Sequence, residues 1–364
     1  MKIGYVAEPY EESHASGMGY AVVGLLDHLI ALNTGDEFIV YSSTPVSRSL
    51  VKGAFENRII PRSFPAKMRW FLGFNDQVDV LLFTAPFLPL IVPRRVKTIM
   101  VCKELVSQKI LVRGKGALFA FLRDKVLMPI SLQHASFVLT PSEATKNDIL
   151  KFYNIDPERI RVTYEGFQDL TSAPANEGGG AYAPSMKPFF FFTGKFKYRK
   201  NVHGIVSAFI AFKKRTGADC RLVIGGSASG SYYKQVKKEI DESGYKKDIL
   251  FVGYVGAQDL SLFYKNALAL VFVSFNEGFG MPILEAMSVG TPVITSNISS
   301  MAEIAANAAL LVNPHEVGEI SGAMERLYKD QNLRRDLASR GYERVKDFSW
   351  PKVAAQVMEI LHAI

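Results

Sequence analysis

Two successive series of short apolar runs, each alternating with an amphipathic helical window, limit what this chain can fold into more than any other feature. A short run that is apolar along its whole length is buried on both faces. A helix between two such strands supplies the crossover that a parallel sheet requires. The first series predicts strands over Lys2 to Val6, Phe38 to Tyr41, Arg58 to Ile60, Val78 to Phe83, Thr98 to Val101, Phe137 to Thr140 and Ile160 to Thr163. The second predicts them over Phe189 to Thr193, Arg221 to Ile224, Ile249 to Val252, Leu268 to Val273, Pro292 to Thr295 and Ala309 to Val312. The expectation is an α/β protein with two parallel-sheet domains.

At 364 residues the chain can bury two full cores. The stretch from Gln168 to Lys187 includes SAPANEGGGAYAPS, whose small and helix-breaking residues cannot pack a core. It reads as a linker, 169–187, between a first domain, 1–168, and a second, 188–349. Near the end, in FSWPKVAAQVMEILHAI, Ser349 can cap a helix and Pro351 falls in its first turn. Val353, Val357 and Ile360 give this helix, 350–364, an apolar stripe with which to pack back on the first domain.

Composition closes several classes. Hydrophobic residues make up 48% and charged residues 21%, which fits a globular chain rather than a disordered or fibrous one. The opening MKIGYVAEPY meets Glu8 before an apolar run develops, so no secretory signal is expected there. Val78 to Val92 is interrupted by Asp79, Pro86 and Pro89 and is shorter than the roughly 20 residues of a spanning helix. The expected location is cytoplasmic. Cys102 and Cys220 read as small core residues, and the histidines show no ligand spacing, so neither a metal nor any other cofactor is implied.

Lys and Arg exceed Asp and Glu by 8, and 12 basic against 4 acidic residues between Pro61 and Ile130 account for the whole surplus. Trp70, Phe71, Phe74, Phe119 and Phe121 are interleaved with these charges in AKMRWFLGF and KGALFAFLRDKVL. A solvated basic face fits this pattern, and so does peripheral contact with an anionic membrane surface. No nucleic-acid signature accompanies the charge, and nucleic acid is not an expected partner.

The stretch LALVFVSFNEGFGMPILEAMSVGTPVITS carries the chemistry. A buried strand ending near Ser274 leads into a loop with Glu277, Gly278 and Gly280, and Pro282 then opens a helix that closes at Gly290. Such a loop aims backbone amides and a helix N-terminus into the space above the sheet, which makes an anion site. Glu277 in the loop and Glu285 in the first helical turn bracket one small volume. Helix punctuation alone explains Pro282 and Gly290, but it does not explain an acidic, glycine-rich loop at the end of a buried strand. In FFFFTGKFKYRKN, a second strand ends at Thr193, turns at Gly194, and meets four basic residues before Asn201, a candidate helix cap. Basic side chains at the C-terminal edge of the same sheet favour a diphosphate.

The spacing of Glu277 and Glu285, with GFGMP between, resembles the E-x7-E signature of retaining glycosyltransferases of the GT-B fold, glycosyltransferase family 4 or group 1. The match extends through EGFGMPILEAMSVGTPVI. The resemblance implies two Rossmann-like domains facing across a cleft, the second holding a nucleoside diphosphate sugar. It implies that Glu285 holds the donor ribose, and that Glu277 and the amides of Gly278, Phe279, Gly280 and Met281 contact sugar and diphosphate. Lys195 and Lys200 occupy the two places of the family's diphosphate clamp. Gly253, Tyr254 and Val255 resemble the segment that reads the nucleobase. Gly17 and Gly19 resemble the glycine loop that approaches donor and acceptor, Ser142 is expected to be an N-cap, and Gly166 a turn residue. Where many relatives carry His-Asp, this chain has Lys103 and Glu104, a departure that bears on sugar recognition.

The implied reaction is metal-independent, retaining transfer of a hexose to a glycan or lipid-linked acceptor, with GDP-mannose the first donor and a UDP-hexose the second. Three rivals carry their own tests. A glycoside hydrolase using Glu277 and Glu285 would act without nucleotide. A nicotinamide oxidoreductase would want a complete G-x-G-x-x-G directly after a strand, which neither GMG nor GGSASG supplies. A catalytically silent subunit would bind nucleotide sugars without turnover.

Overall fold

The computed structural model describes residues 1–8, 17–84, 88–105, 121–171, 187–227 and 229–364. The chain divides into two compact units, Met1–Gly166 with Phe348–Ile364, and Phe167–Asp347. In the first unit, seven strands form a sheet: β1 (Lys2–Val6), β2 (Glu37–Ser42), β3 (Glu56–Ile59), β4 (Val80–Phe83), β5 (Lys97–Val101), β6 (Phe137–Thr140) and β7 (Ile160–Val162). Their order is β3-β2-β1-β4-β5-β6-β7, and every neighbouring pair is parallel. The second unit has β8 (Phe189–Thr193), β9 (Arg221–Gly225), β10 (Ile249–Gly253), β11 (Ala269–Phe272), β12 (Val293–Ser296) and β13 (Leu310–Val312), ordered β10-β9-β8-β11-β12-β13 and again all parallel. Both are Rossmann-like sheets, as the GT-B fold requires.

Each predicted strand is present, with ends displaced by at most two residues. Central strands read as unbroken apolar runs because helices cover both faces. In β8, Phe189, Phe190, Phe191 and Phe192 are all buried, and Phe191 stacks on Phe263 at 5.1 Å. Ser142 accepts a hydrogen bond from the Thr145 amide at 3.1 Å and so caps the helix Glu143–Phe152. The helix Trp350–His362 belongs to the first unit and buries Trp350, Val353, Ala354, Val357, Met358 and Leu361. Helical spacing from Trp350 carries the stripe through Leu361 rather than Ile360.

Two expectations need correction. The second unit begins at Phe167, ahead of the expected linker: Leu170 is fully buried there, and Ser261 Oγ donates to its carbonyl at 3.0 Å. Of the linker itself, 172–186 lie outside the described residues. Trp70, Phe71 and Phe74 are not interfacial. Trp70 packs 6.0 Å from the rings of Tyr41 and Phe74, and Phe71 lies against Phe83 in the core. Burial of such large rings stabilises the fold more than exposing them would. Phe121 is exposed, and Lys109, Arg113, Lys115 and Phe119 lie outside the described residues. Among the described residues no helix is long and apolar enough to cross a membrane.

Candidate active site

In the second unit the strand order reverses between β8 and β11, which pair through Ala269–Phe190 and Leu270–Phe191. At such a reversal the loops leaving the two strands diverge to opposite faces, so a crevice opens beyond their C-terminal ends. The loop after β8 runs through Gly194 to Asn201, and the loop after β11 runs through Val273 to Gly280.

The two loops meet in a charge cluster. Glu277 Oε2 lies 2.7 Å from Arg199 Nη1, and Glu277 Oε1 lies 2.8 Å from Lys200 Nζ. Glu277 is 8% exposed. Burial alone would raise its pKa, but Lys200 and Arg199 outweigh that effect and keep it below the usual carboxylate value. Arg199 also donates to the Asn276 carbonyl at 3.0 Å, and the Phe275 amide donates to the Arg199 carbonyl at 2.8 Å. Ser299 Oγ and Ser300 Oγ donate to the Glu277 carbonyl at 2.8 and 2.9 Å, which fixes the loop from below. Tyr198 stacks on His203 at 5.3 Å and leans on Phe275 at 5.5 Å, stiffening the turn that carries Arg199 and Lys200. Asn201 does not cap the following helix: its side-chain amide donates to the carbonyls of Val273 and Pro314 at 3.1 and 2.7 Å, tying three loops together.

Gly280 precedes the helix Met281–Ser288 with φ +117°, a conformation that side chains other than glycine rarely adopt. Glu285 lies beyond the first helical turn, which contains no acidic residue, contrary to the sequence expectation. Tyr264 Oη donates to Glu285 Oε2 at 3.1 Å. Loss of hydration raises the Glu285 pKa to about 7, against the opposing pull of the Tyr264 hydrogen bond and the Lys200 charge. Lys200 thus influences both carboxylates, lowering each, and the two glutamates titrate in opposite directions from their ordinary values.

Residues 181–344 match the family described as "Glycosyl transferases group 1". These residues form a group 1 glycosyltransferase domain. The O-antigen chain mannosyltransferase B of Escherichia coli is 30% identical over 233 residues, covering 63% of this chain and 61% of that protein. The chain therefore spans less than two thirds of that relative's length. Among solved structures, the sucrose-phosphate synthase of Thermosynechococcus elongatus superposes with a TM-score of 0.77 at 20% identity, covering 100% of this chain and 98% of the other. The Anabaena protein Alr3699/HepE in complex with UDP and glucose superposes with a TM-score of 0.74 at 15% identity, covering both chains fully. Both show the same fold.

Within the glycosyltransferase domain, the structure places Glu277, Lys200 and the Gly278–Met281 segment together, with Glu285 one turn further on. Lys195 is exposed and makes no ion pair among the described residues, whereas Arg199 joins Glu277 directly. Sequence reading missed Arg199 because it is one of four basic residues in a short turn. Only the 3-10 geometry of Tyr198–Lys200 decides which of them turn inward. Gly253, Tyr254 and Val255 lie at the C-terminal end of β10, with Tyr254 69% exposed. In the first unit, Gly17 and Gly19 fall inside the first turn of the helix Gly17–Ala31 rather than in a loop before it. Lys103 Nζ pairs with Glu165 Oε1 at 3.1 Å in a largely buried setting, a partner that the sequence did not suggest. Glu104 follows at the end of β5, and Gly166 serves as a close-packed residue against Trp350 rather than as a turn.

Proposed function

We propose that this chain is a retaining glycosyltransferase that moves a hexose from a nucleoside diphosphate sugar to a glycan or lipid-linked acceptor. The observation that carries the reading is the cluster of Arg199, Lys200 and Glu277 beside the N-terminus of the helix Met281–Ser288, at the point where the strand order reverses. In this reading the bond between the sugar's anomeric carbon and the β-phosphate oxygen breaks, and negative charge grows on the departing diphosphate. Lys200, Arg199 and the helix terminus stabilise that charge, a task that divalent ions perform elsewhere. The acceptor oxygen forms its bond on the same face, and the leaving β-phosphate oxygen takes the acceptor's proton. Glu285 binds the donor ribose, and Glu277 orients the sugar while keeping the two cations in register.

The first donor is GDP-mannose, in keeping with the named mannosyltransferase relative, and the second is a UDP-hexose. The deciding experiment is a thermal-shift screen of GDP, UDP and ADP followed by turnover with the matching sugars. A nucleotide at 100 times its dissociation constant should stabilise the fold by about 2.7 kcal/mol. No stabilisation by any of them would overturn the reading, and binding without turnover over a panel of acceptors would leave a silent subunit. The opposite shifts of Glu277 and Glu285 also suit an acid and nucleophile pair of a hydrolase. Transfer is preferred because both oxygens of Glu277 face cations, which hydrolysis would not need. Release of sugar from an aryl glycoside without nucleotide would reverse that preference.

A further inference from the structure

We infer that one face of the first unit, formed by the helix Phe64–Leu72 and the segment 90–95, docks on an anionic lipid bilayer. The helix is two-sided. Trp70 and Phe71 face the core, while Met68 and Leu72, one turn apart, are 44% and 47% exposed. The Leu90 amide donates to the Phe71 carbonyl at 3.0 Å, and the Phe74 amide donates to the Ile91 carbonyl at 2.9 Å. These bonds fix Ile91, 68% exposed, beside the end of the helix that carries the exposed Leu72 and Met68.

The basic surplus of this region sorts around these side chains. Arg62 is spent on Ser43 and Thr44, Lys67 on Ser43 and Glu8, Lys103 on Glu165 and Arg123 on Asp124. Arg69, Arg94 and Arg95 are exposed, and no carboxylate among the described residues lies within ion-pair distance of them. Arg69 shares the helix with Met68 and Leu72, and Arg94 and Arg95 follow Ile91 closely. Exposed aliphatic side chains beside guanidinium groups that pair with no carboxylate among the described residues suit shallow insertion between headgroups, with the arginines on lipid phosphates. A lipid-linked acceptor in the proposed reaction gives this docking its purpose, but binding needs neither donor nor acceptor and can be read alone.

The test is co-sedimentation of the full chain with phosphatidylcholine vesicles, with and without phosphatidylglycerol, at low and high salt. The expected result is binding to the phosphatidylglycerol vesicles at low salt and release at high salt. The double variant Arg94→Glu, Arg95→Glu should bind at least about ten-fold more weakly. The variant Leu72→Ser, Ile91→Ser should also lose binding, and both should keep the wild-type melting temperature and nucleotide-induced stabilisation. Charge reversal at Lys234 and Lys237, exposed on the helix Gly230–Glu242 of the second unit, should leave vesicle binding unchanged. Any of four results overturns the inference: no binding at low salt, equal binding to both vesicle types, wild-type binding by the first-unit variants, or equal loss in the second-unit control. Loss of turnover with vesicle binding intact would instead count against the proposed reaction.

Discussion

Lys200 Nζ lies 2.8 Å from Glu277 Oε1 while Arg199 Nη1 lies 2.7 Å from Glu277 Oε2, so one buried carboxylate bridges the loops after β8 and β11. Removing the charge of Glu277 leaves two cations facing each other without their counterion. Glu277→Gln is therefore expected to cost about 3 kcal/mol of stability at neutral pH, measured by denaturant unfolding. The folded pKa of Glu277 is lowered, so its contribution is present above the unfolded value of 4.5 and is lost as pH falls through the folded value. The gap between wild type and variant should close in acid. A variant as stable as wild type at neutral pH would show that the bridge contributes nothing.

The same geometry separates the two lysines of the basic turn. Lys200 is mostly buried against Glu277 and lies 4.6 Å from the centre of the Phe272 ring, whereas Lys195 is exposed. Lys200→Ala should lower kcat more than it raises KM, by roughly 2 to 4 kcal/mol of transition-state stabilisation. Lys195→Ala should have a smaller effect. Steady-state kinetics on both variants decide the ranking, and an unchanged kcat in Lys200→Ala would remove it from the charge-stabilising role.

Glu285 titrates in the opposite sense. Its folded pKa is raised from 4.5 to about 7, so the folded state prefers the protonated acid. Stability associated with Glu285 is complete below 4.5 and is lost as pH rises through about 7, with a ceiling of about 3 kcal/mol. Glu285→Gln cannot ionise and should escape that loss. The variant should gain on wild type between pH 5 and 8 in unfolding experiments, while its nucleotide affinity falls above about pH 7, where the ribose loses a charged acceptor. Parallel pH profiles for the two proteins would rule out the buried ionisation.

Activity should survive EDTA, because Arg199, Lys200 and the helix N-terminus already supply positive potential where the diphosphate departs. Initial rates with and without chelator provide the measurement. Complete loss, restored only by magnesium or manganese ions, would assign that charge to a metal.

The strands were legible because a strand inside a parallel sheet must be apolar along its length, and Phe189–Phe192 or Ala269–Phe272 admit no other reading. The loop holding Glu277 was legible for a related reason, since Gly280 and Pro282 punctuate the chain where backbone geometry demands them. What stayed hidden depends on side-chain direction. Nothing in KFKYRK distinguishes Arg199 from Lys195 until the turn at Tyr198–Lys200 is built. Lys103 and Glu165 are distant in sequence and meet only because β5 and β7 end at the same edge of one sheet. Trp70 and Phe71 sit among basic residues in sequence, yet the helix turns them inward and leaves Met68 and Leu72 outside.

Gly166 closes the first unit's main segment, and its missing side chain makes room for Trp350 of the returning helix. A Cβ at Gly166 would stand 2.5 Å from the indole, and one at Gly24 would stand 2.7 Å from it. Both distances are below any real contact, and a ring that is 6% exposed has nowhere to swing. Gly166→Ala should therefore destabilise the protein by about 1 to 3 kcal/mol through overpacking. A backbone preference would cost the same whatever stands opposite, whereas overpacking disappears once the ring is smaller. In a Trp350→Leu background, the further cost of Gly166→Ala should fall to a few tenths of a kcal/mol, giving a large coupling energy in the double-mutant cycle. Trp350 fluorescence, read in a Trp70→Phe background, should change in Gly166→Ala as the ring is displaced. Additive costs with unchanged emission would mean that the alanine fits and that the indole does not lock the end of the first unit.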